Sequence, residues 1–154
     1  SHHSNTENVF FLTYLITIFW KENYFTHNVI NYRSYFIEIW KHWTITLKRL
    51  AGVSGALAVT AGAYGAHGFK NKDPEDYSIV LYETANKYHF YHSIALLGAS
   101  RCRKPAVAGT LLVVGMGAFC GSLYHQALTE NPVLRKLAPY GGMFLIAGWL
   151  AIAI

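Results

Sequence analysis

The sequence predicts an all-α fold: an integral membrane bundle of four transmembrane helices, with an additional aromatic segment at the N-terminus. Hydrophobic residues make up 53% of the 154 residues and charged residues only 14%, which is little charge for the water-exposed surface of a soluble domain. Residues 106–128 run for twenty-three positions without Asp, Glu, Lys or Arg. A helix of that length exceeds the roughly 30 Å hydrocarbon core of a bilayer, so this stretch predicts a membrane span.

The charge pattern argues against a nucleic-acid partner. The formal net charge is +5, but the basic residues form short clusters between apolar runs, whereas nucleic-acid binding requires a basic stripe or patch. The two cysteines, Cys102 and Cys120, are too few for a metal framework. One lies in a predicted loop and the other deep in a predicted span, so we expect no disulfide between them.

The first forty-eight residues differ in composition from the rest of the chain. No Gly, Ala or Pro occurs in the first fifty positions, whereas all 13 glycines and all 4 prolines follow. Residues 1–47 also contain twelve of the twenty-four aromatic residues, and the first methionine is Met116. We interpret residues 1–48 as a leader that is foreign to the membrane domain of residues 49–154. We expect it to be poorly ordered or to form short interfacial helices.

The first predicted span covers residues 50–69, which carry no formal charge and follow Lys48 and Arg49. A basic start before an apolar run is also typical of a signal peptide, but the apolar run is longer than a usual signal core, which favours an uncleaved span. Small residues recur at four-residue steps and predict a face on which another helix packs closely. These residues are Ser54, Ala58, Gly62 and Ala66.

The second predicted span covers residues 79–100 and begins as a helix at the membrane surface. Asp73 is suited to cap the helix, and Pro74 is suited to its first position. Glu83 and Lys87 lie four residues apart in the favourable order and predict an ion pair on one face. The helix therefore starts polar and becomes apolar as it enters the membrane.

Two further spans complete the bundle. The basic turn at residues 101–105 leads into the third span, residues 106–128, in which Gly117 and Gly121 form a GxxxG pair that predicts a close helix contact. A polar loop follows, and residues 137–154 supply the fourth span, which is again free of charged residues.

Basic residues in the short loops predict the orientation of this bundle, because Lys and Arg are enriched on the cytoplasmic side. We expect both termini on the cytoplasmic or matrix side, in either a mitochondrial inner membrane or a plasma membrane. The side with the termini holds Lys48, Arg49, Arg101, Arg103 and Lys104, and the opposite side holds Lys70, Lys72, Arg135 and Lys136.

Four blocks of the sequence resemble a known family. They are GALAVTAGAYGAHG at 55–68, YETANKYHFYHSIALL at 82–97, GSLYHQAL at 121–128 and LAPYGGMFLIAGWL at 137–150. On these motifs the chain is similar to the transmembrane protein 256 and domain of unknown function 423 family of small multi-spanning membrane proteins. The turn RCRKP and the ending GWLAIAI are similar to the animal branch. The resemblance implies a membrane protein without an established activity, and the leader has no counterpart in the family.

An up-and-down arrangement of four spans predicts a polar cluster at one membrane face. The end of the first span, the start of the second and the end of the third lie on that face, and Tyr82, Asn86, His89 and Ser93 form one stripe at a 3–4 spacing. Polar groups at membrane depth are costly and normally face the bundle interior or a water-filled cavity. The predicted cluster consists of His67, Glu83, Asn86, His89, His92, Tyr124 and His125.

Three interpretations of this cluster compete. In the first, the side chains satisfy one another and the helix ends, which is ordinary at a membrane interface. In the second, they line a path for a small solute or for protons, since histidine titrates near neutral pH. In the third, histidines on three helices bind a metal or haem. The weak candidate ligands for that metal are His67, His89, His92 and His125.

The sequence favours a non-enzymatic membrane component. No serine–histidine–aspartate order, phosphate-binding loop or paired carboxylate motif is present in the sequence, and we expect no catalytic residue and no cofactor. The expected partners are the lipid bilayer and either other membrane proteins or further copies of the chain. The alternative is a small oligomeric transporter or channel, and a metal- or haem-binding membrane protein is the second alternative.

Overall fold

The computed structural model describes residues 3–70, 72–73 and 75–154, without the side chains of residues 3–16, 19–20, 22–28 and 30. Its elements are α1 (His3–Gly68), α2 (Tyr77–Ala99), α3 (Pro105–Thr129), a short 3-10 helix (Pro132–Lys136) and α4 (Leu137–Ala153). No strand occurs within these ranges, which confirms the all-α prediction. The chain divides into two compact units, Ser1–Lys41 and His42–Ile154.

The first unit is formed by the N-terminal part of α1, where the sequence predicted low order or short interfacial helices. Residues 3–41 are helical there, and the absence of Gly and Pro from the first fifty positions leaves no residue that breaks a helix. Lys41 Nζ and Glu38 Oε1 form an exposed ion pair of 2.9 Å in this unit.

The second unit begins at His42, earlier than the predicted domain start at residue 49. The difference arises because residues 42–48 contribute to the packing of the bundle. Thr44 Oγ1 donates a hydrogen bond of 3.1 Å to the carbonyl oxygen of Ser100. Leu47 is 1% exposed and lies against Gly109, where an added Cβ would come within 2.7 Å of Leu47 Cδ1.

The cap of α2 differs from the prediction. Asp76 caps the helix, because its Oδ1 accepts a hydrogen bond of 2.8 Å from the backbone N–H of Ser78. The predicted cap, Asp73, instead accepts from the backbone N–H of Glu75 at 3.0 Å. Pro74, the predicted first position, lies outside the described residues. Helix α2 therefore starts three residues later than the sequence pattern indicated.

Helix α3 lies between α2 and α4 in the second unit and makes its close contacts to α4 through glycines. A Cβ added at Gly148 would come within 2.7 Å of Leu112 Cδ2, and one at Gly115 within 2.7 Å of Leu145 Cδ2. At Gly141 it would meet the backbone carbon of Ala118 at 2.9 Å. Such positions admit no larger side chain without a shift of the helices.

Gly117 and Gly121 were predicted to make a close helix contact, and no described residue of the chain makes that contact. A Cβ added at either glycine meets no heavy atom within 4 Å, and both residues are exposed. The GxxxG spacing marks a face of small residues, but it does not say which neighbour that face contacts. The other predicted packing face fits better, because Ser54, Ala58 and Gly62 contact α2.

Two helical segments among the described residues are long and apolar enough to cross a bilayer. They are α3, Pro105–Thr129, and the segment Pro132–Ala153 that contains α4. They correspond to the third and fourth predicted spans. Residues 50–68 of the first predicted span lie in α1, and residues 79–99 of the second lie in α2.

A cluster of charges connects the turn after α1 to the end of α3. Lys72 Nζ lies 2.8 Å from Glu130 Oε1, 3.6 Å from Asp76 Oδ2 and 5.8 Å from the centre of the Phe69 ring. The hydrogen bond to Glu130 is the main cause that raises the pKa of Lys72 above its ordinary value of 10.5. The backbone N–H of Ser78, followed by its hydroxyl and then Lys72, lowers the pKa of Asp76 below 3.8.

These charges predict a pH window for Lys72→Met. Asp76 stabilises the folded state above pH 3.8, and that contribution is lost as the pH falls through its lowered pKa. Lys72 stabilises it below pH 10.5, and that contribution is lost as the pH rises through its raised pKa. We expect the SDS-unfolding midpoint of the wild type to exceed that of Lys72→Met slightly inside this window and to equal it outside.

The matched control is Lys70→Met, since Lys70 is exposed and no ion pair of the described residues includes it. Its midpoint is expected to equal that of the wild type at every pH. Identical midpoints for the wild type and Lys72→Met at neutral pH would show that the charge cluster does not stabilise the fold.

Candidate functional site

The polar stripe of α2, which was predicted to face the interior of the bundle, lies against α1. Tyr82, Asn86, His89 and Ser93 each contact α1, and Tyr124 of α3 approaches from the side. We call this set, together with Ser54, the polar seam. The seam is possible because the backbone of α1 comes close to the side chains of α2 at two glycines. A Cβ added at Gly62 would come within 3.0 Å of Asn86 Oδ1, and one added at Gly65 within 2.6 Å of Tyr82 Cε1.

One half of the seam consists of hydroxyl and imidazole groups. Ser54 Oγ lies 2.6 Å from Ser93 Oγ and 3.1 Å from His89 Nε2. Ser93 Oγ also lies 2.7 Å from the carbonyl oxygen of His89. The three side chains therefore share one hydrogen-bonded group between α1 and α2, and Ser93 is buried at 2% exposure.

The other half joins side chains of α2 to the backbone of α1. Asn86 Nδ2 donates to the carbonyl oxygen of Ala58 at 2.7 Å and to Tyr124 Oη at 3.1 Å. Tyr82 Oη donates to the carbonyl oxygen of Ala61 at 2.7 Å. Asn86 thus connects three helices, because its amide contacts α1 and α3 from a position on α2.

Aromatic rings close the seam towards the end of α1. The ring of Tyr82 makes edge contacts with Phe69 and with Tyr124, at centroid distances of 5.1 Å and 5.0 Å. Tyr82 is 4% exposed, and Leu81, Ala85, Cys120 and Leu123 belong to the same apolar cluster. The hydrogen bond of Tyr82 is therefore shielded from solvent by packed side chains.

His89 has one ring nitrogen without a partner. Its Nε2 contacts Ser54, whereas Nδ1 is buried and makes no hydrogen bond with the described residues. The ring lies edge-on to Tyr124 at a centroid distance of 6.1 Å. Buried polar atoms normally have a partner, so Nδ1 is the place in the seam where a proton or a small polar molecule would find an unused group.

The remaining predicted cluster residues lie outside the seam. Glu83 is exposed and lines a cavity of about 180 Å3 between α1 and α2, together with Gly62 and Asn86. His67 is exposed at the end of α1. His125 is half-buried, and its Nδ1 lies 3.5 Å from Thr129 Oγ1. The structure therefore brings together Asn86, His89 and Tyr124 from the predicted set.

His92 faces α4 instead of the seam. Its Nδ1 lies 2.7 Å from the carbonyl oxygen of Tyr88, and its Nε2 accepts from Trp149 Nε1 at 3.2 Å. The pattern of residues along the sequence did not predict this pair. One property of the sequence could have indicated it. At 1.5 Å per residue, His92 lies about 22 Å from the start of α2 and Trp149 about 18 Å from the start of α4, so the two side chains lie at similar depths.

The expected ion pair on α2 and the alternative of a metal site both lack support among the described side chains. Glu83 and Lys87 do not pair, because the ion pairs of the described residues are those of Lys41 and Lys72. No three His, Cys, Asp or Glu in the described part of the chain lie close enough to hold a metal ion. His89 and His92 contact different helices, which separates the candidate ligands.

Apolar helices with a polar seam between them define the class of a helical membrane protein, and comparison with known proteins gives the family. Residues 61–142 match the family model described as Protein of unknown function (DUF423). The match covers more than half of the chain. This chain therefore belongs to that family, which confirms the resemblance that its four sequence blocks carry.

Similar proteins occur in bacteria and in a yeast. A UPF0382 membrane protein of Staphylococcus epidermidis is 36% identical over 110 residues, which are 68% of this chain and 89% of the relative. The UPF0382 membrane protein YwdK of Bacillus subtilis is 33% identical over 68% of this chain and 90% of its own length. The UPF0382 membrane protein C1782.12c of Schizosaccharomyces pombe is 29% identical over 71% of this chain and 100% of its own length. No solved structure matches the chain.

A double-mutant cycle of Ser54→Ala and Ser93→Ala tests the seam. Each change removes one partner of the 2.6 Å contact, so the coupling free energy isolates that bond. Hydrogen bonds between membrane helices average about 0.6 kcal/mol and reach about 1.7 kcal/mol, and we expect a value in this range from SDS unfolding in lipid.

Ser122→Ala supplies the control for this cycle. The hydroxyl of Ser122 donates to the carbonyl oxygen of Phe119 within its own helix, so its coupling to Ser54→Ala should be near zero. Equal coupling for the two pairs would contradict the seam contact.

Proposed function

We propose that this protein is a multi-pass membrane protein with four spans that acts as a non-enzymatic subunit or accessory of a membrane assembly. The observation that carries the proposal is the open face of α3. Gly117 and Gly121 lie one turn apart, exposed, with no heavy atom of the described chain within 4 Å of an added Cβ. Small residues on a lipid-exposed face allow a further helix to approach closely.

The polar seam supports a structural role for the interior. Tyr82 and Asn86 donate to carbonyl oxygens of α1, and Ser54 contacts both Ser93 and His89. These side chains are used in joining helices, which is the first of the three interpretations of the polar cluster. A chain with this interior acts through its surface and has no need of its own chemistry.

The positions of the loops support the orientation. Thr44 bonds to the carbonyl oxygen of Ser100, which places the start of the bundle beside the basic turn at 101–105. Lys72 and Glu130 meet at the other end. Five Lys and Arg residues of the short loops share the first end and four share the second, so we propose that the first end faces the cytoplasm or the mitochondrial matrix.

The assembly proposal predicts that Gly121→Leu separates association from folding. An added side chain at Gly121 points into open space, so the SDS-unfolding midpoint of the chain should stay within error of the wild type. Native mass spectrometry from lipid nanodiscs and cross-linking in native membranes should show the wild type in complexes, and the variant should lose at least half of that signal.

Gly148→Leu is the matched control, because a side chain there would overlap Leu112 and unfold the bundle. A wild-type chain that is a strict monomer in both experiments would contradict the assembly role. A Gly121→Leu variant that associates like the wild type would place the contact on another face.

A small transporter or channel is the second candidate, and two observations favour it. His89 Nδ1 is buried and unpartnered, and the cavity of about 180 Å3 beside Asn86 also exposes the carboxylate of Glu83. His89 lies one helical turn after Asn86, which lines the cavity, and a titratable ring near a cavity with a carboxylate is an arrangement that suits a proton path.

This candidate predicts proton flux in vesicles. Purified chain in liposomes with a pH gradient should dissipate the gradient, measured with a trapped pH dye, and His89→Phe should abolish that flux while Tyr140→Phe, at an exposed tyrosine, retains it. Flux equal to that of empty liposomes would remove the transport candidate.

A further inference from the structure

A groove on the outer surface of α2, α3 and α4 has the size and lining of a ligand site. Its volume is about 580 Å3, within the range of small-molecule pockets. Aromatic rings form much of the wall, and the hydrogen bond from Trp149 to His92 fixes one side. The lining residues are Lys87, Tyr88, Tyr91, His92, Phe119, Gly142, Leu145, Ile146 and Trp149.

Lys87 is the only cationic lysine or arginine in this lining. It is exposed, and the ion pairs of the described side chains do not include it. Glu83, one turn earlier on α2, does not form an ion pair with it. An ammonium group on a helix within a bilayer is costly unless an anion or water reaches it, so the groove presents an unmatched positive charge beside an apolar wall.

The depths of the lining residues match those of the two parts of a lipid molecule, its headgroup and its acyl chains. Lys87 lies ten residues after the start of α2, about 15 Å along the helix, and its flexible side chain extends back towards that start. Gly142 lies near the start of α4 and leaves space at this level. Leu145, Ile146 and Trp149 continue deeper along α4.

We propose that this groove binds one anionic phospholipid, with the phosphate at Lys87 and an acyl chain along Phe119, Leu145 and Ile146. The unmatched charge selects the headgroup, and the apolar wall accommodates the chain. The site is independent of whether the protein acts as a subunit or as a transporter.

Trp149 provides the readout for this proposal. The chain has 4 tryptophans, so the full chain with Trp20, Trp40 and Trp43 changed to Phe reports on Trp149 alone. It is placed in phosphatidylcholine nanodiscs that contain either brominated phosphatidylglycerol or brominated phosphatidylcholine, and quenching is followed against mole fraction. Because one lysine near the membrane surface attracts anionic lipid, the mole fraction that gives half-maximal quenching is expected to be about fivefold lower for the brominated phosphatidylglycerol than for the brominated phosphatidylcholine.

Variants and competitors make the experiment decisive. In the same single-tryptophan background, Lys87→Gln should remove the preference, Lys87→Arg should retain it, and Lys104→Gln, in the loop before α3, should leave it unchanged. Equal quenching by the two lipids, or a preference that survives Lys87→Gln, would overturn the proposal. Inorganic phosphate that removes the preference at constant ionic strength would also overturn it, since the site would then bind the ion without the lipid.

Discussion

The close approach of α1 and α2 is the constraint on which the rest of this structure depends. In a bilayer, side-chain polar groups have no water to bond with, so they must find partners inside the protein. Gly62 and Gly65 bring the backbone of α1 near enough for Asn86 and Tyr82 to reach its carbonyl oxygens. A side chain at either glycine would push the helices apart and leave those polar groups unpaired. In this seam, close packing of the two helices is therefore a condition for hydrogen bonding of the polar side chains.

The glycines of α3 and α4 separate an inner contact from an outer surface. Gly115, Gly141 and Gly148 lie where a Cβ would overlap the neighbouring helix, whereas Gly117 and Gly121 face open space. Both groups are small and apolar, but only the first holds the bundle together. The lipid groove adds a third kind of surface, in which Gly142 and Lys87 leave space and charge for a ligand. The chain thus has separate faces for its own packing, for the proposed association and for the proposed lipid.

Periodicity predicted the parts of the site that depend on one helix, and it did not predict those that depend on two. The stripe of Tyr82, Asn86, His89 and Ser93 follows from spacing along α2, and spacing also predicted that it faces inward, although not that its partner is α1. The partner of His92 depends on how α4 is rotated relative to α2. Whether Gly117 is exposed depends on which face of α3 packs against α4. The spacing of residues within one segment does not determine either of these arrangements. The start of the bundle at residue 42 was missed for a similar reason, since Thr44 and Leu47 are buried only by contacts with distant residues.

Two bonds of the seam end on main-chain oxygens, those of Ala58 and Ala61. Every residue type carries that acceptor, so the side chains that specify these two bonds belong to α2. Helix α1 has to keep Gly62 and Gly65, and its other small residues can be exchanged for one another without losing a partner for Tyr82 or Asn86. Over evolutionary time the two helices should therefore diverge unequally: α1 by drift among small side chains, and α2 hardly at all at positions 82 and 86.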